Sequence, residues 1–534
     1  MRPDILRTYK TLHTWTGIVT GMVLFIAFYA GALTMFEAPL TRWASPPGAV
    51  TPTGIGRADE LMVLTLAVRP EIGREFTLHL GDAAEVPARL TWRKSVEDAT
   101  QWSSALEPDG SVRLTRLRPS GLGQLIDDLH RTGGIPGDPE IGTMVMGVVS
   151  GVYVLALVSG VVLVLPSLLR DLFALCIGPN LKRLWMDAHN LVGIFSLPFH
   201  LVIALTAVVF GLHDEIYDTL NKVVYESRLQ EVMRADSPFS AIKPNRQPAA
   251  MLPVDALVQR VKERAPGFEP FSLQYRGAGT KGAIVRVWGY DHRYLMRGKG
   301  FVMMSPVTGE VVNTEYLPGQ QGTWAAMVAA FFALHFGSFG GELMRWSYLV
   351  LGLSGAFLFY SGNLLWIESR RRTERRHGAS VQQSRSTRLM ASATVGICLG
   401  AMFGLSLTIV AGRWLHGMVA DLNAWHRGIY YAAWAGALAW AFYRGAARAA
   451  IYLLWLAAAA TAAIPLTSLI GWMVPAFDPW PSAAASSPAI DAIALAGAAA
   501  FAWAARATTR RAEGGAADSV WSAPKADGEP EATA

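Results

Sequence analysis

The stretch His13-Thr14-Trp15-Thr16-Gly17-Ile18-Val19-Thr20 returns, altered but recognisable, as His189-Asn190-Leu191-Val192-Gly193-Ile194-Phe195-Ser196. Both read His-x3-Gly-Ile, and both open a run of about twenty apolar residues, the length a helix needs to cross a hydrocarbon core of about 30 Å. A motif that recurs at the head of two spans marks an internal duplication. Working outward, the segment after each span keeps one coarse order. After the first, residues 58–68 have helical periodicity, 76–80 and 88–93 read as strands, and 103–116 as a hairpin around Asp109-Gly110. After the second, 254–265 read as a helix, 272–275 and 283–289 as strands, and 301–313 as a hairpin around Pro306–Gly309. Each half is expected to hold a small α+β module, one helix on its own short antiparallel sheet. A Leu-His pair follows each module, Leu129-His130 and Leu334-His335. A glycine-rich stretch and a returning span come next, the spans carrying Ser159-Gly160 and Ser361-Gly362.

Composition agrees with a membrane chain. Of 534 residues, 52% are hydrophobic and 16% charged, against about 25% charged in ordinary soluble domains, which excludes a single soluble enzyme. Eight spans are expected, at 17–36, 141–165, 191–212, 343–367, 391–410, 425–443, 449–474 and 490–505. Arg2, Arg7 and Lys10 precede the first. Arg170, Lys182 and Arg183 separate the second from the third, and Arg370, Arg371, Arg372, Arg375, Arg376, Arg385 and Arg388 the fourth from the fifth. Arg444 and Arg448 lie between the sixth and seventh, and Arg506, Arg510 and Arg511 around the end of the eighth. All fall on one side, which the positive-inside rule makes cytoplasmic, with both termini inside. The net charge of +6 is therefore a topological signal and not a nucleic-acid patch. The first apolar run is too long for a cleaved signal peptide. Two cysteines, Cys176 and Cys398, build no disulfide framework, and neither lies in an external segment.

The expected organisation is a first span (1–36), a first external module (37–140), a second span (141–165), a cytoplasmic loop (166–190) and a third span (191–212). A second external module (213–342), a fourth span (343–367), a basic cytoplasmic loop (368–390), a four-span C-terminal bundle (391–510) and a disordered tail (511–534) complete it. The tail contains too little apolar surface to fold.

Eleven histidines remain to be explained. The duplication puts His13 and His189 at the cytoplasmic ends of the first and third spans, and His130 and His335 at the outer entries of the second and fourth. An isolated histidine near a membrane surface is most often an interfacial side chain. Two per face, each from a different helix, make another pattern. A six-coordinate haem asks for two imidazoles at one depth across a dry bundle core. With both axial positions filled, such haems suit electron transfer and not oxygen binding. Zinc is the weaker reading, since no Cys, Asp or Glu clusters at ligand spacing. His200, about 16 Å along the helix from His189, falls near mid-membrane where the repeat has Leu24. It is a further candidate ligand, a propionate partner or a buried neutral side chain. His213 reads as interfacial, and His416 and His426 belong to an aromatic belt with Trp414 and Trp425. His79, His292 and His377 lie in polar segments. Arg345 and Arg183 are either propionate partners or interfacial anchors.

Taken together, Leu12-His13-x3-Gly17, Leu129-His130, Trp185-x3-His189-x3-Gly193, Leu334-His335-Phe336-Gly337, Arg345, Ser361-Gly362 with Trp366, and the hairpin 303–311 with Thr308-Gly309-Glu310 resemble the PepSY-associated transmembrane proteins. The likeness covers about residues 7–368. That family includes inner-membrane ferric-siderophore reductases and iron-regulated membrane proteins. The resemblance implies two b-type haems in a four-helix unit, PepSY-like external modules, and His13, His130, His189 and His335 as axial ligands. Four further spans depart from the shorter members. No G-x-G-x-x-G follows a strand, so electrons are expected from a separate donor, either a membrane quinol or a cytoplasmic reductase.

The function expected is a transmembrane electron-transfer protein of the bacterial inner membrane that reduces an acceptor outside, a ferric siderophore by family analogy. Iron(III) is held by hard oxygen donors that bind iron(II) far more weakly, so one electron delivered outside would release the metal. Two alternatives stand beside it. One is a non-enzymatic PepSY-type envelope binding or regulatory protein. The other is a quinol-linked respiratory cytochrome b-like subunit.

Overall fold

The computed structural model describes residues 3–45, 53–81, 88–95, 100–168, 181–235, 245–375, 383–474, 487–515 and 519–523. Arg2, Arg170, Cys176, Arg376 and His377, with parts of both expected cytoplasmic loops, lie outside them. In chain order the helices are α1 (Pro3–Thr34), α2 (Glu37–Ala44), α3 (Ala58–Val68), α4 (Leu122–Thr132), α5 (Pro139–Val164), α6 (Leu181–Phe195), α7 (Leu197–Gly211) and α8 (His213–Val223). They continue as α9 (Leu229–Ala235), α10 (Val254–Arg264), α11 (Thr323–Phe336), α12 (Gly341–Arg375), α13 (Arg385–Leu415), α14 (Leu422–Arg444), α15 (Ala446–Met473) and α16 (Ser487–Glu513).

Among the described residues six helices, α1, α5, α12, α13, α15 and α16, are long and apolar enough to cross a membrane, and α6 with α7 makes a seventh as a pair bent by 71°. The chain is a polytopic membrane protein. The third expected span is therefore not straight. Pro198, in the first turn of α7, has no N–H for the turn before it and its ring crowds the preceding carbonyls, so the helix breaks at Ser196. At α14 the expected sixth span is a helix of 23 residues, rich in Ala, Trp and Tyr, that falls short of the others in hydropathy.

Outside the spans, strands β1 (Glu75–His79), β2 (Leu90–Trp92), β3 (Gln101–Leu106), β4 (Val112–Leu117), β5 (Glu269–Arg276), β6 (Ile284–Tyr290), β7 (Gly300–Met304) and β8 (Val311–Asn313) form one eight-stranded antiparallel sheet in the order β4-β3-β2-β1-β5-β6-β7-β8. The two modules expected to stand apart are thus two meanders joined at their first strands. Each contributes its helix, α3 or α10, to a shared core holding Leu61, Leu78, Leu257, Leu273 and Val287. Along the seam Phe76 pairs with Tyr275 and Leu78 with Leu273. The Phe76 and Tyr275 rings stack at 5.0 Å, a cross-strand aromatic pair of the kind that stabilises a sheet by up to about 1 kcal/mol.

A second correction concerns α4 and α11, which the expected module boundaries (37–140 and 213–342) placed outside the bundle. α4 packs on α1, α2 and α5, and α11 on α7. Gly133 and Gly337 end these helices with φ of 61° each, the left-handed cap that glycine takes without a Cβ clash. α5 and α7 cross at a pair of glycines, where a Cβ on Gly147 would stand 2.7 Å from the Gly211 carbonyl carbon. In the C-terminal part α13 lies against α14 and α15, and α16 against α15. The expected disordered tail is corrected in part. α16 continues to Glu513, and residues 519–523 fold back, with the Ala523 amide donating to Ala512 O at 3.0 Å and that of Val520 to Gln383 Oε1 at 2.6 Å. Residues 516–518 and 524–534 lie outside the described residues.

Candidate metal centres

Far from the sheet, His13 of α1 meets His189 of α6 with ring centres 6.4 Å apart and planes at 75°. On the sheet side, His130 of α4 meets His335 of α11 at 6.1 Å and 40°. These are the two pairs expected from depth. His130 bonds to the carbonyl of Ala27, fourteen residues along α1 from His13, so the pairs are separated by about 21 Å along the helix.

Each ring is held by one nitrogen. His13 Nδ1 donates to Ala156 O at 2.9 Å and His130 Nδ1 to Ala27 O at 2.8 Å. A carbonyl only accepts, so both rings carry their proton on Nδ1. In the second half a hydroxyl stands between ring and helix. His189 Nδ1 lies 3.0 Å from Ser361 Oγ, which itself donates to Leu358 O at 3.1 Å. His335 Nδ1 lies 2.8 Å from Thr206 Oγ1, which donates to Val202 O at 2.6 Å. With those hydroxyl protons committed, the oxygens accept from the imidazoles. All four histidines are fixed in the tautomer that leaves the Nε2 lone pair bare, the arrangement metal-ligating histidines adopt.

The spacing fits a shared metal atom. Bonds of about 2.0 Å to each nitrogen, with about 1.1 Å from nitrogen to ring centre, put two imidazole centres about 6.2 Å apart across one metal. Among the described residues no group of three or more His, Cys, Asp or Glu side chains is arranged to hold a bare ion. A metal that brings its own equatorial ligands, as a porphyrin does, suits two lone imidazoles per site. Glycines make room for the rings. A Cβ on Gly31 would stand 2.7 Å from His130 Nδ1, on Gly160 3.0 Å from His13 Cε1, and on Gly362 3.6 Å from His189 Cε1.

A cavity of about 970 Å³ opens beside the sheet-side pair. Its walls include His130, His335, Phe28, Phe210, Arg131 and Arg345, and it reaches Tyr290, His292 and Met296 below the sheet. The volume is at the upper end for a ligand pocket. Glu37 and Asp127 line the same space, and burial followed by the Asp127 charge raises the Glu37 carboxyl above its ordinary value. Arg345 pairs with Glu342 at 2.6 Å and Arg183 with Asp187 at 3.6 Å.

His200 is fully buried in α7 and differs from the four. Its Nδ1 lies 2.7 Å from the Tyr153 hydroxyl, and its Nε2 has no partner. Its ring packs against Phe28, Tyr153 and Phe199, and no second imidazole meets it among the described ring contacts. Of the remaining histidines, His213 pairs with Asp214 and lies at a tilt against Tyr217, His416 bonds to Arg118 O, and His426 is buried in α14. Ser361 and Thr206 were not singled out as ring partners from the sequence. The Ser-Gly repeat was a visible signal for the first, and nothing local marked the second.

The PepSY-associated TM region family matches residues 10–369, and the chain belongs to that family. Over 276 residues it is also 26% identical to an uncharacterized protein of Pseudomonas aeruginosa, a match covering 48% of this chain and 65% of that protein's own length.

Proposed function

We propose, with that family membership as the premise, that this protein carries electrons across the bacterial inner membrane to an acceptor outside, a ferric siderophore, using two b-type haems. The observation that carries the reading is the pair of histidine pairs, at 6.4 and 6.1 Å, each ring anchored through Nδ1 and each Nε2 bare. His13 with His189 would hold one haem, and His130 with His335 the other. Bound between two imidazoles, an iron porphyrin supplies one-electron transfer with no open coordination position. The protein's part is to orient the rings through Ala156, Ala27, Ser361 and Thr206, to exclude water with the apolar bundle, and to leave the sheet-side pair next to a cavity an acceptor can approach. The eight-span arrangement with both termini cytoplasmic, α14 as the sixth span, belongs to this reading, as do PepSY-like identities for the two meanders. The donor is a membrane quinol or a cytoplasmic reductase.

Purified full-length protein should show a sharp reduced α band and about two haems per chain by pyridine haemochrome assay. Absence of haem would overturn the reading and favour a binding or regulatory role for the sheet. Haem without dependence of expression on iron supply would point to a respiratory subunit instead.

A further inference from the structure

Three of the four C-terminal helices, α13, α15 and α16, converge on one indole. Trp43 of α2 is 1% exposed, and the Arg413 guanidinium from the last turn of α13 lies 4.8 Å from its ring centre while donating to its carbonyl oxygen. Trp43 Nε1 donates to Ser468 Oγ of α15 at 2.9 Å, and Ser468 Oγ donates to Asp491 Oδ1 of α16 at 2.9 Å. The fourth helix, α14, reaches the neighbouring element: Asn423 Oδ1 accepts the Gly121 amide at 3.0 Å, at the first turn of α4. His416 Nε2 takes the Arg118 carbonyl just before it. A charged side chain buried in a membrane protein costs free energy and is seldom kept as mere lipid anchoring.

What the clamp holds is the helix that carries His130. α2 and α4 share a core of Leu40, Trp43, Leu122, Leu125, Ile126 and Leu129, and the Ser120 amide donates to Ser45 Oγ at 2.8 Å. Leu129 is buried in that core next to His130, whose ring must sit against Gly31 with little space to spare. α4 has 11 residues, too few to be rigid without outside support.

The geometry points to a role for the C-terminal helices as the brace that sets the position of His130, with Arg413, Trp43 and Asp491 as positioning residues. This rests on the haem reading only for its consequence at the iron; the brace itself can be read without a cofactor. The experiment uses the full chain in nanodiscs, with Arg413→Met and the milder Trp43→Phe, which keeps an aromatic ring and loses the indole donor. Hydrogen exchange is followed in residues 37–44 and 122–132 against residues 139–164. Potentiometry resolves the two haems, the outer one being assigned as the component lost in His130→Ala. The expected result is exchange faster by about tenfold in α2 and α4, with α5 unchanged, and a shifted outer potential with the inner one held. Unchanged exchange, or faster exchange with an unmoved outer potential, overturns the proposal. If no haem is present in the parent protein, the haem reading falls, and the exchange result alone decides the brace. Should Arg413→Met fail to fold, Trp43→Phe gives the same readouts.

Discussion

The histidine pair far from the sheet and the pair beside it share a ring spacing and differ in what carries them. His13 and His189 sit on α1 and on α6, the first arm of the bent span, and meet the Ser-Gly steps of the returning spans at Gly160 and Gly362. His130 and His335 ride on α4 and α11, helices of 11 and 14 residues laid against the bundle, and open on the cavity that runs up to Tyr290 and His292. Helix packing sets the spacing in both places. All four rings are half-buried, and the sheet-side pair borders the cavity. On the proposed function, the pair far from the sheet would receive electrons within the bundle, and the sheet-side pair would deliver them to an acceptor arriving from that side.

The largest test of this contrast is removal of the rings. His130→Ala and His335→Ala should each lose the same haem and abolish reduction of an external acceptor, while His13→Ala and His189→Ala should each lose the other; haem stoichiometry and difference spectra read this directly. If single changes at His13 and His335 removed one common haem, the depth-matched pairing would be wrong. Next in size come the glycines. Gly31→Ala would press a methyl to 2.7 Å from His130 Nδ1, whereas in Gly362→Ala it would lie 3.6 Å from His189 Cε1. The first should lose most of the outer haem and the second retain the inner one, as measured by haem content per chain.

Smaller effects are expected at the hydroxyls. Thr206→Ala should weaken only the outer haem and Ser361→Ala only the inner, each by about 10- to 100-fold in affinity, in haem-transfer titrations to an apo-globin. His200→Ala should keep both haems at full occupancy, and loss of either would restore it as a ligand. A modest pH effect should also separate the two sites, because the sheet lies over only one. His79 in β1 is half-buried with Nε2 2.9 Å from Thr91 Oγ1, and burial, then Arg89 and Lys299, lower its pKa to about 4. Unfolded, it titrates near about 6.5. The folded sheet binds fewer protons in that window, so the stability His79 contributes is complete above about pH 6.5 and is lost as pH falls toward 4. Protection factors in β1 and β2, corrected for the intrinsic slowing of amide exchange in acid, should fall on acidification, and His79→Gln should flatten the response.

The duplication made the four histidines legible, since two copies of His-x3-Gly-Ile and two Leu-His pairs fix depth without any knowledge of packing. The helices α3 and α10 and most strands were legible for the same reason, their periods being local. The seam was not. Alternation along residues 76–80 says which face is buried, and nothing in it says which edge finds a partner. The partners of His189 and His335 escaped because Ser361 and Thr206 lie 172 and 129 residues away in sequence. The bend at Ser196 was announced by Pro198, but the continuous apolar run around it read as one span.

The β1–β5 seam has an evolutionary consequence. A half-length ancestor with one helix, one meander and one histidine for each membrane depth would have carried a bare strand edge and two half-sites. Two copies meeting about a two-fold axis would have closed the sheet and completed both sites in one event. Fusion turns that concentration-dependent encounter into an intramolecular one, and releases each half from being its own mirror partner. The bend at Pro198, and the use of Ser361 and Thr206 as ring partners where the first half keeps Ser159 but bonds its rings to backbone carbonyls, are the kind of divergence an obligate homodimer could not have kept.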